Sequence, residues 1–420
     1  MKSNFVVRSL RARCTATALA LLVACGGGRG AGETARSASP GRRAQADTLG
    51  CSADSVSQVL LTTLNAMRRR NPVPALSAAA QVPSRMTAPA TAVVGVVSLP
   101  TGRSVNSKDR FLAGSVGTTF FAALALRRAG RGELSLDAPL TDLLPTAHIP
   151  AFAWITPRML LAHTSGIGEY DGEFMTTLAR EPLRTRTARD WLGVIERHPP
   201  TQSEAGKFRY SDLNHVVLAM VLDAGPPDGA YDAIDTAYLR PLGLTHTARA
   251  VSPRIEGLVA GHEDRASLFG AEAIMRDGAL IYNPQFEWGG GGFVSTPRDL
   301  ARWMVALRDG SAFPDTLWSA VVAKPAGIAD TAHHWRGVGL HVDAGVLGMT
   351  YGHSGYMPGY VSWMRWYDEL GVSVAMQVNA TDRTRLIDDG FDWMDSMAVA
   401  VHAVCAAPTR SGGGATRTAR

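Results

Sequence analysis

The sequence predicts an α+β fold in which an antiparallel sheet draws strands from both ends of the chain and a mostly helical region is inserted between them. Three observations carry this. Apolar β-runs occur early, at Thr91–Leu99, and late, at Val338–Val342, Tyr360–Tyr367 and Val372–Val378. Helix-period patterns dominate residues 140–280, and a nearly all-apolar helix, Val116–Ala129, calls for burial on every side. Strands contributed by the two ends around a helical insertion fit α+β rather than alternating α/β architecture.

In chain order, residues 52–70 carry Val56, Val59, Leu60, Leu64 and Met67 at helical spacing. The run Thr91–Leu99 ends at the Pro100-Thr101-Gly102 turn. Helices are expected over Pro157–Leu161, Ala188–Glu196, Leu213–Leu222 and Tyr231–Leu239. Asp368-Glu369-Leu370-Gly371 joins the last two strands as a hairpin. Residues 384–405 form the last helix, with Phe391, Met394, Met397, Ala398 and Val401 in register. No internal repeat is present.

Of 420 residues, 46% are hydrophobic, enough for one large core or two subdomains. The formal charge of +5 misleads: residues 1–50 and 406–420 together carry +9, which leaves −4 for residues 51–405. A mildly acidic body gives no case for a nucleic-acid partner. Residues 1–25 read as an export signal, with a basic start and an apolar run, Cys14–Ala24, too short to span a bilayer. Leu22-Val23-Ala24-Cys25 resembles a bacterial lipobox with Cys25 as the lipidated residue; an ordinary signal peptide is the alternative. Residues 26–50 form a Gly/Ala/Arg/Ser-rich linker, 51–405 the folded domain, and 406–420 a loose basic tail. The expected location is the cell envelope, periplasm or surface, with a lipid anchor as the one membrane contact.

The segment Phe111-Leu112-Ala113-Gly114-Ser115-Val116-Gly117-Thr118 resembles the Phe-x-x-Gly-Ser-x-x-Lys start of the serine β-lactamase and penicillin-binding protein superfamily, with Thr118 at the lysine position. Six further blocks follow in the family's order. They are Glu133–Leu140 (ELSLDAPL), Leu160–Ile167 (LLAHTSGI), Tyr210-Ser211-Asp212 where the family has Tyr-x-Asn, Arg240–Thr245 (RPLGLT), Gly290–Thr296 (GGGFVST), and Tyr351–Gly355 (YGHSG), a variant of Lys-Thr-Gly. Asn379 closes a β-run as in the family. The likeness runs from about residue 90 to 380 and points to the branch of class C β-lactamases, D-alanyl-D-alanine carboxypeptidases, D-aminopeptidases and esterases. It implies a β-lactamase-like fold, with terminal helices packed together on the sheet and a helical subdomain at about 115–285. If those helices run antiparallel, Cys51 and Cys405 meet in a disulfide; two buried free thiols are the alternative.

The resemblance assigns Ser115 as nucleophile, Tyr210 as proton carrier and His353 to the third-motif lysine position. The N–H groups of Ser115 and Tyr356 become the oxyanion donors, with Asp212, Ser354 and Gly355 lining the substrate site. A serine opening a helix is otherwise a plain N-cap. Thr118 brings no charge to lower the phenol, and an ionised Asp212 only accepts hydrogen bonds where asparagine also donates. The two changes together shift the pocket by up to two charge units toward negative. The expected function is an envelope serine hydrolase that acylates at Ser115 on a peptide, amide or ester with low or altered activity. The rival is an inactive β-lactamase-like protein that binds cell-wall peptide or a protein partner.

Blander features complete the reading. His163 serves its turn, and His262, His333 and His334 lack metal-ligand spacing, so no metal or cofactor is expected. Gly289–Gly292 fits close backbone packing beside the cleft. Gly-x-Ser-x-Gly is absent around Ser115, against an α/β-hydrolase. Oligomeric state is left open.

Overall fold

The computed structural model describes residues 51–225, 229–264, 266–322, 334–382, 386 and 389–406. The expected export signal, Cys25, the linker and all of the tail beyond Ala406 lie outside them, as does His333.

A seven-stranded antiparallel sheet organises the chain. Its spatial order is Ala90–Gly95, Ala75–Gln81, Val372–Val378, Tyr360–Tyr367, Gly348–Met357, His341–Gly345, His334–Arg336. The N-terminal pair therefore docks on the last strand, and both chain ends build one sheet. The strand Ala75–Gln81 was not foreseen. Alanine has little strand preference, and burial of all seven residues removes the polar alternation that marks a half-exposed strand. Likewise unforeseen was Gly348–Met357, which carries His353. The strand expected at Val338–Val342 begins instead at His341, after the Gly337–Gly339 turn.

The first helix, Ala53–Arg70, starts where the Ser52 side chain accepts the Ser55 N–H at 3.1 Å and ends in three arginines suited to the negative helix end. Its buried stripe of Val56, Leu60, Leu64 and Met67 meets Met394, Met397, Ala398 and Val401 of the last helix, Gly390–Ala406, in one apolar layer over the sheet. Cys51 and Cys405 are disulfide-bonded, with Cα atoms 4.2 Å apart, so the two helices run antiparallel.

A second, larger core fills the other side of the sheet. The helix Thr118–Gly130 runs through it with every residue from Thr118 to Leu126 buried. Phe120 stacks on Trp303, ring centroids 4.3 Å apart, and Trp303 donates its indole N–H to Thr119 at 2.8 Å. Asn379 ties the end of the last strand to the site region, accepting the Ala75 N–H at 2.7 Å and donating to the Ala260 carbonyl at 2.8 Å.

Candidate active site

Ser115 sits in a single 3₁₀ turn, Gly114–Gly117, that feeds the buried helix Thr118–Gly130. It does not cap that helix: the residue before the turn is Ala113, and the cap before the helix is Gly117. Glycines allow two backbone segments to close on this turn. Gly114 has φ of 54°, and a Cβ there would lie 2.6 Å from the Tyr356 nitrogen. A Cβ on Gly355 would lie 2.9 Å from the Ser115 nitrogen, and one on Gly117 would lie 2.8 Å from the Gly291 carbonyl oxygen. The strand Gly348–Met357 thus brings Tyr356 N and Ser115 N to the same turn, and Gly291 closes it from the other side. Backbone N–H groups of two segments beside one nucleophile are the parts from which an oxyanion pair is built.

Tyr210 and Asp212 approach from the start of the helix Asp212–Asp223. Ser211 caps that helix, accepting the Leu213 N–H at 3.2 Å and donating its hydroxyl to the Gly168 carbonyl at 2.7 Å. The His163 ring stacks on Tyr210 with centroids 4.4 Å apart, and its Nδ1 accepts the Ser211 N–H at 3.3 Å. The His163 carbonyl takes the Arg209 N–H at 2.8 Å. His163 therefore aims the phenol by holding the segment on both sides of it. The Tyr210 hydroxyl donates to Asp212 Oδ1 at 3.0 Å. The Ser115 hydroxyl lies near both groups and favours the ionised form of each.

Thr118 brings no amine to this group. It is 1% exposed and donates its hydroxyl back to the Ser115 carbonyl at 2.7 Å. What neighbours Asp212 instead is two further carboxylates that sequence reading missed. Glu169 accepts the Asp212 N–H through Oε2 at 2.9 Å and the Tyr170 N–H through Oε1 at 2.9 Å. Glu287 is buried, and a Cβ on Gly290 would fall 2.8 Å from Glu287 Oε2 and 3.1 Å from Asp212 Cβ, so Gly290 lets the two side chains approach. Burial, reinforced by mutual repulsion, raises Asp212 and Glu287 well above the usual carboxylate range. Glu169 is raised chiefly by burial, tempered by its two N–H donors and by Arg209.

One expectation narrows. Burial and the neighbouring Glu169 shift Asp212 toward its protonated form, in which a carboxyl group both donates and accepts, as asparagine does. A second expectation narrows. Burial, with Arg336 adding to it, pushes His353 down to about 3, so it is neutral across the ordinary working range and brings no cation. Its Nδ1 donates to the Ser354 carbonyl at 2.6 Å. Tyr210 is pushed well above 10 by burial and then by Asp212, so the phenol is protonated. The side chain of Tyr356 turns outward, 51% exposed, and donates to Glu263 Oε1 at 2.9 Å.

Of the predicted residues, Ser115, Tyr210, Asp212, Gly355 and Tyr356 come together at one site, with His353 and Ser354 on the same strand as the last two. Gly289 packs against the His215 carbonyl, where a Cβ would lie 2.5 Å away, so this glycine run answers to close backbone packing. Among the described residues, no group of three or more His, Cys, Asp or Glu side chains is arranged to hold a metal ion.

Known proteins bear on this geometry. Penicillin-binding protein 4 of Amycolatopsis lactamdurans is 27% identical over 315 residues, covering 71% of this chain and 79% of its own length. Esterase EstB of Burkholderia gladioli is 27% identical over 324 residues, covering 68% and 81%. D-amino acid amidase from Ochrobactrum anthropi SV3 superposes with a TM-score of 0.69 at 20% identity, covering 83% of this chain and 98% of its own, a likeness that bears on fold alone. The sequence model of the Beta-lactamase family matches residues 74–393, most of the 420-residue chain, and the chain belongs to that family of serine acyl-transferring hydrolases.

Proposed function

We propose that this protein is an exported, envelope-located serine hydrolase that forms an acyl-enzyme at Ser115 on an ester or amide, with activity altered by the absent lysine. The observation that carries the reading is the convergence of Ser115, Tyr210 and Asp212 on the turn where the Ser115 and Tyr356 nitrogens meet. A nucleophile, groups able to move its proton and two backbone donors are the parts acyl transfer needs. The relative named as an esterase favours ester bonds. Neither Thr118 nor the neutral His353 offers a cation to a substrate carboxylate, so neutral or amine-bearing esters and amides suit the site better than penicillins. The envelope location and the lipid anchor at Cys25 rest on the N-terminal sequence.

One feature favours the inactive binding-protein reading: Thr118 spends its hydroxyl on its own helix. The test compares wild type with Ser115→Ala on a p-nitrophenyl ester and a fluorescent penicillin. Ser115-dependent ester turnover with weak penicillin labelling is expected. Silence in both proteins, with signal gained in Thr118→Lys/Asp212→Asn, would mark a disabled site.

A further inference from the structure

We infer that Asp212 is the general base of this site, taking the Ser115 proton in the role that the family's lysine fills elsewhere; this rests on the hydrolase reading above. The geometry comes first. Asp212 Oδ1 is 3.0 Å from the Tyr210 hydroxyl, and the Ser115 hydroxyl stands beside both. The backbone N–H of Asp212 is held by Glu169, and its side chain sits in the first turn of a helix, where a carboxylate is well placed. It is fixed from two directions against the nucleophile.

Thr118 has no basic atom to offer, and its hydroxyl is bonded to the Ser115 carbonyl. His353, held neutral down to about 3, is a feeble base. The Tyr210 phenol, pushed well above 10, supplies almost no phenolate at neutrality and serves better as a relay. A carboxylate raised by its surroundings is a stronger base than a free one, and Asp212 is the raised carboxylate bonded to the Tyr210 hydroxyl. Hydrogen bonds to the charged form favour Glu169, with two backbone N–H donors, and Asp212, with the Tyr210 hydroxyl. The other groups facing Asp212 or Tyr210 are Tyr170, the Arg209 guanidinium near Glu169, and Arg336, which adds a positive field at Tyr210.

The step balances. Asp212 accepts the proton of Ser115 as the Oγ–carbon bond forms at the substrate carbonyl. Protonated Asp212, directly or through the Tyr210 hydroxyl, returns it to the departing oxygen or nitrogen as that bond breaks. Water then repeats the exchange to free Ser115.

Asp212→Asn is the informative variant because it installs the family's own residue. If Asp212 merely imitates asparagine, the change is harmless or helpful. If Asp212 is the base, the rate of Ser115 acylation, followed by ester burst and by fluorophosphonate labelling, falls by about 10²–10⁴-fold. An Asp212→Asn protein that labels at the wild-type rate or faster overturns the assignment while leaving the hydrolase reading intact. Absence of any Ser115-dependent labelling or turnover in wild type overturns both. Should the variant not fold, the wild-type pH profile decides. Acylation must rise with pH through a single raised carboxylate titration, and a profile flat from pH 4 to 8 overturns the proposal.

Discussion

Gly355→Ala probes the closure of the site most directly. The strand Gly348–Met357 presses on the nucleophile turn, and Gly355 is its point of contact. An added Cβ would fall inside the van der Waals envelope of the Ala113 carbonyl oxygen and 2.9 Å from both the Ser115 and Val116 nitrogens. All three are backbone atoms, so no side chain can swing aside. Ordinary contact distances of about 3.5 Å or more require a retreat on the order of 1 Å. That retreat moves Tyr356 N away from Ser115 N and spoils the paired donors. A displacement of about 1 Å in a reacting constellation costs on the order of 10²-fold in rate, and overpacking of this kind costs about 1–3 kcal/mol in stability. Gly345→Ala is the control: it lies on a neighbouring strand, and a Cβ there meets nothing within 4 Å. The assay is ester acylation rate beside thermal unfolding for both variants. A Gly355→Ala protein within twofold of wild type in acylation, with unchanged unfolding, would refute the claim that this contact sets the donor geometry.

Other outcomes follow from burial and linkage. Glu287 is raised by burial, so the folded state binds more protons than the unfolded between its ordinary pKa, near ~4.3, and its folded value. Its contribution is therefore complete below that ordinary value and is lost as pH rises through the folded one. Glu287→Gln should match wild type near pH 4 and exceed it by about 1–3 kcal/mol at pH 8 in denaturant melts; equal curves at both pH values would count against a buried charge. His215 runs the other way. Burial lowers it from 6.5 to about 4, so stability present above pH 6.5 is lost as pH falls through the folded value. Both ring nitrogens lack a hydrogen-bond partner among the described residues. His215→Leu should lessen the acid sensitivity of the thermal midpoint between pH 6.5 and 4, and an unchanged slope would contradict this. Cys405→Ser opens a loop closed across a separation of 354 residues, worth up to about 5–6 kcal/mol in the chain-entropy model. Unfolding in guanidinium should shift to lower denaturant in that variant and in reduced wild type alike; identical midpoints in all three would deny the bond a stabilising part.

Much of the frame was legible because local signals and tertiary burial agreed. Pro157–Leu161, Tyr360–Tyr367 and Val372–Val378 match the expected bounds: a proline at the first helical position marks one, and a polar hairpin flanked by apolar strands marks the other two. Ala75–Gln81 stayed hidden because its strand character comes from the neighbours it is wedged between. Gly348–Met357 stayed hidden because its glycines exist to admit other backbones, at the expense of strand pattern. The site divides the same way. Ser115, Tyr210 and Asp212 lie in recognisable strings. Glu169 and Glu287 lie in loops more than a hundred residues apart and acquire meaning only by meeting Asp212. A nearby signal existed in each case: Glu169 follows the His163–Gly166 turn, and Glu287 precedes the glycine run that packs beside the cleft.

The two departures from the family pattern act on one another. A lysine amine and an aspartate carboxylate are both bases before proton transfer, and each gains one unit of charge on accepting the proton. Placed together beside Ser115, they would pair as ammonium and carboxylate, and each would stabilise the other in the form that its catalytic role does not use: lysine charged, or aspartate too weakly basic. Losing the lysine is thus tolerable where an aspartate is gained, and an intact pair is the worse combination. Position 118 lies three residues beyond Ser115, at the start of the helix that the nucleophile turn feeds, and its side chain reaches the Ser115 carbonyl. Thr118→Lys alone should therefore acylate no faster than wild type. Thr118→Lys/Asp212→Asn, which restores both family residues, should recover the rate that Asp212→Asn alone loses and should strengthen penicillin labelling. A single Thr118→Lys variant that outpaces both wild type and the double variant would show that the carboxylate never held the lysine's role.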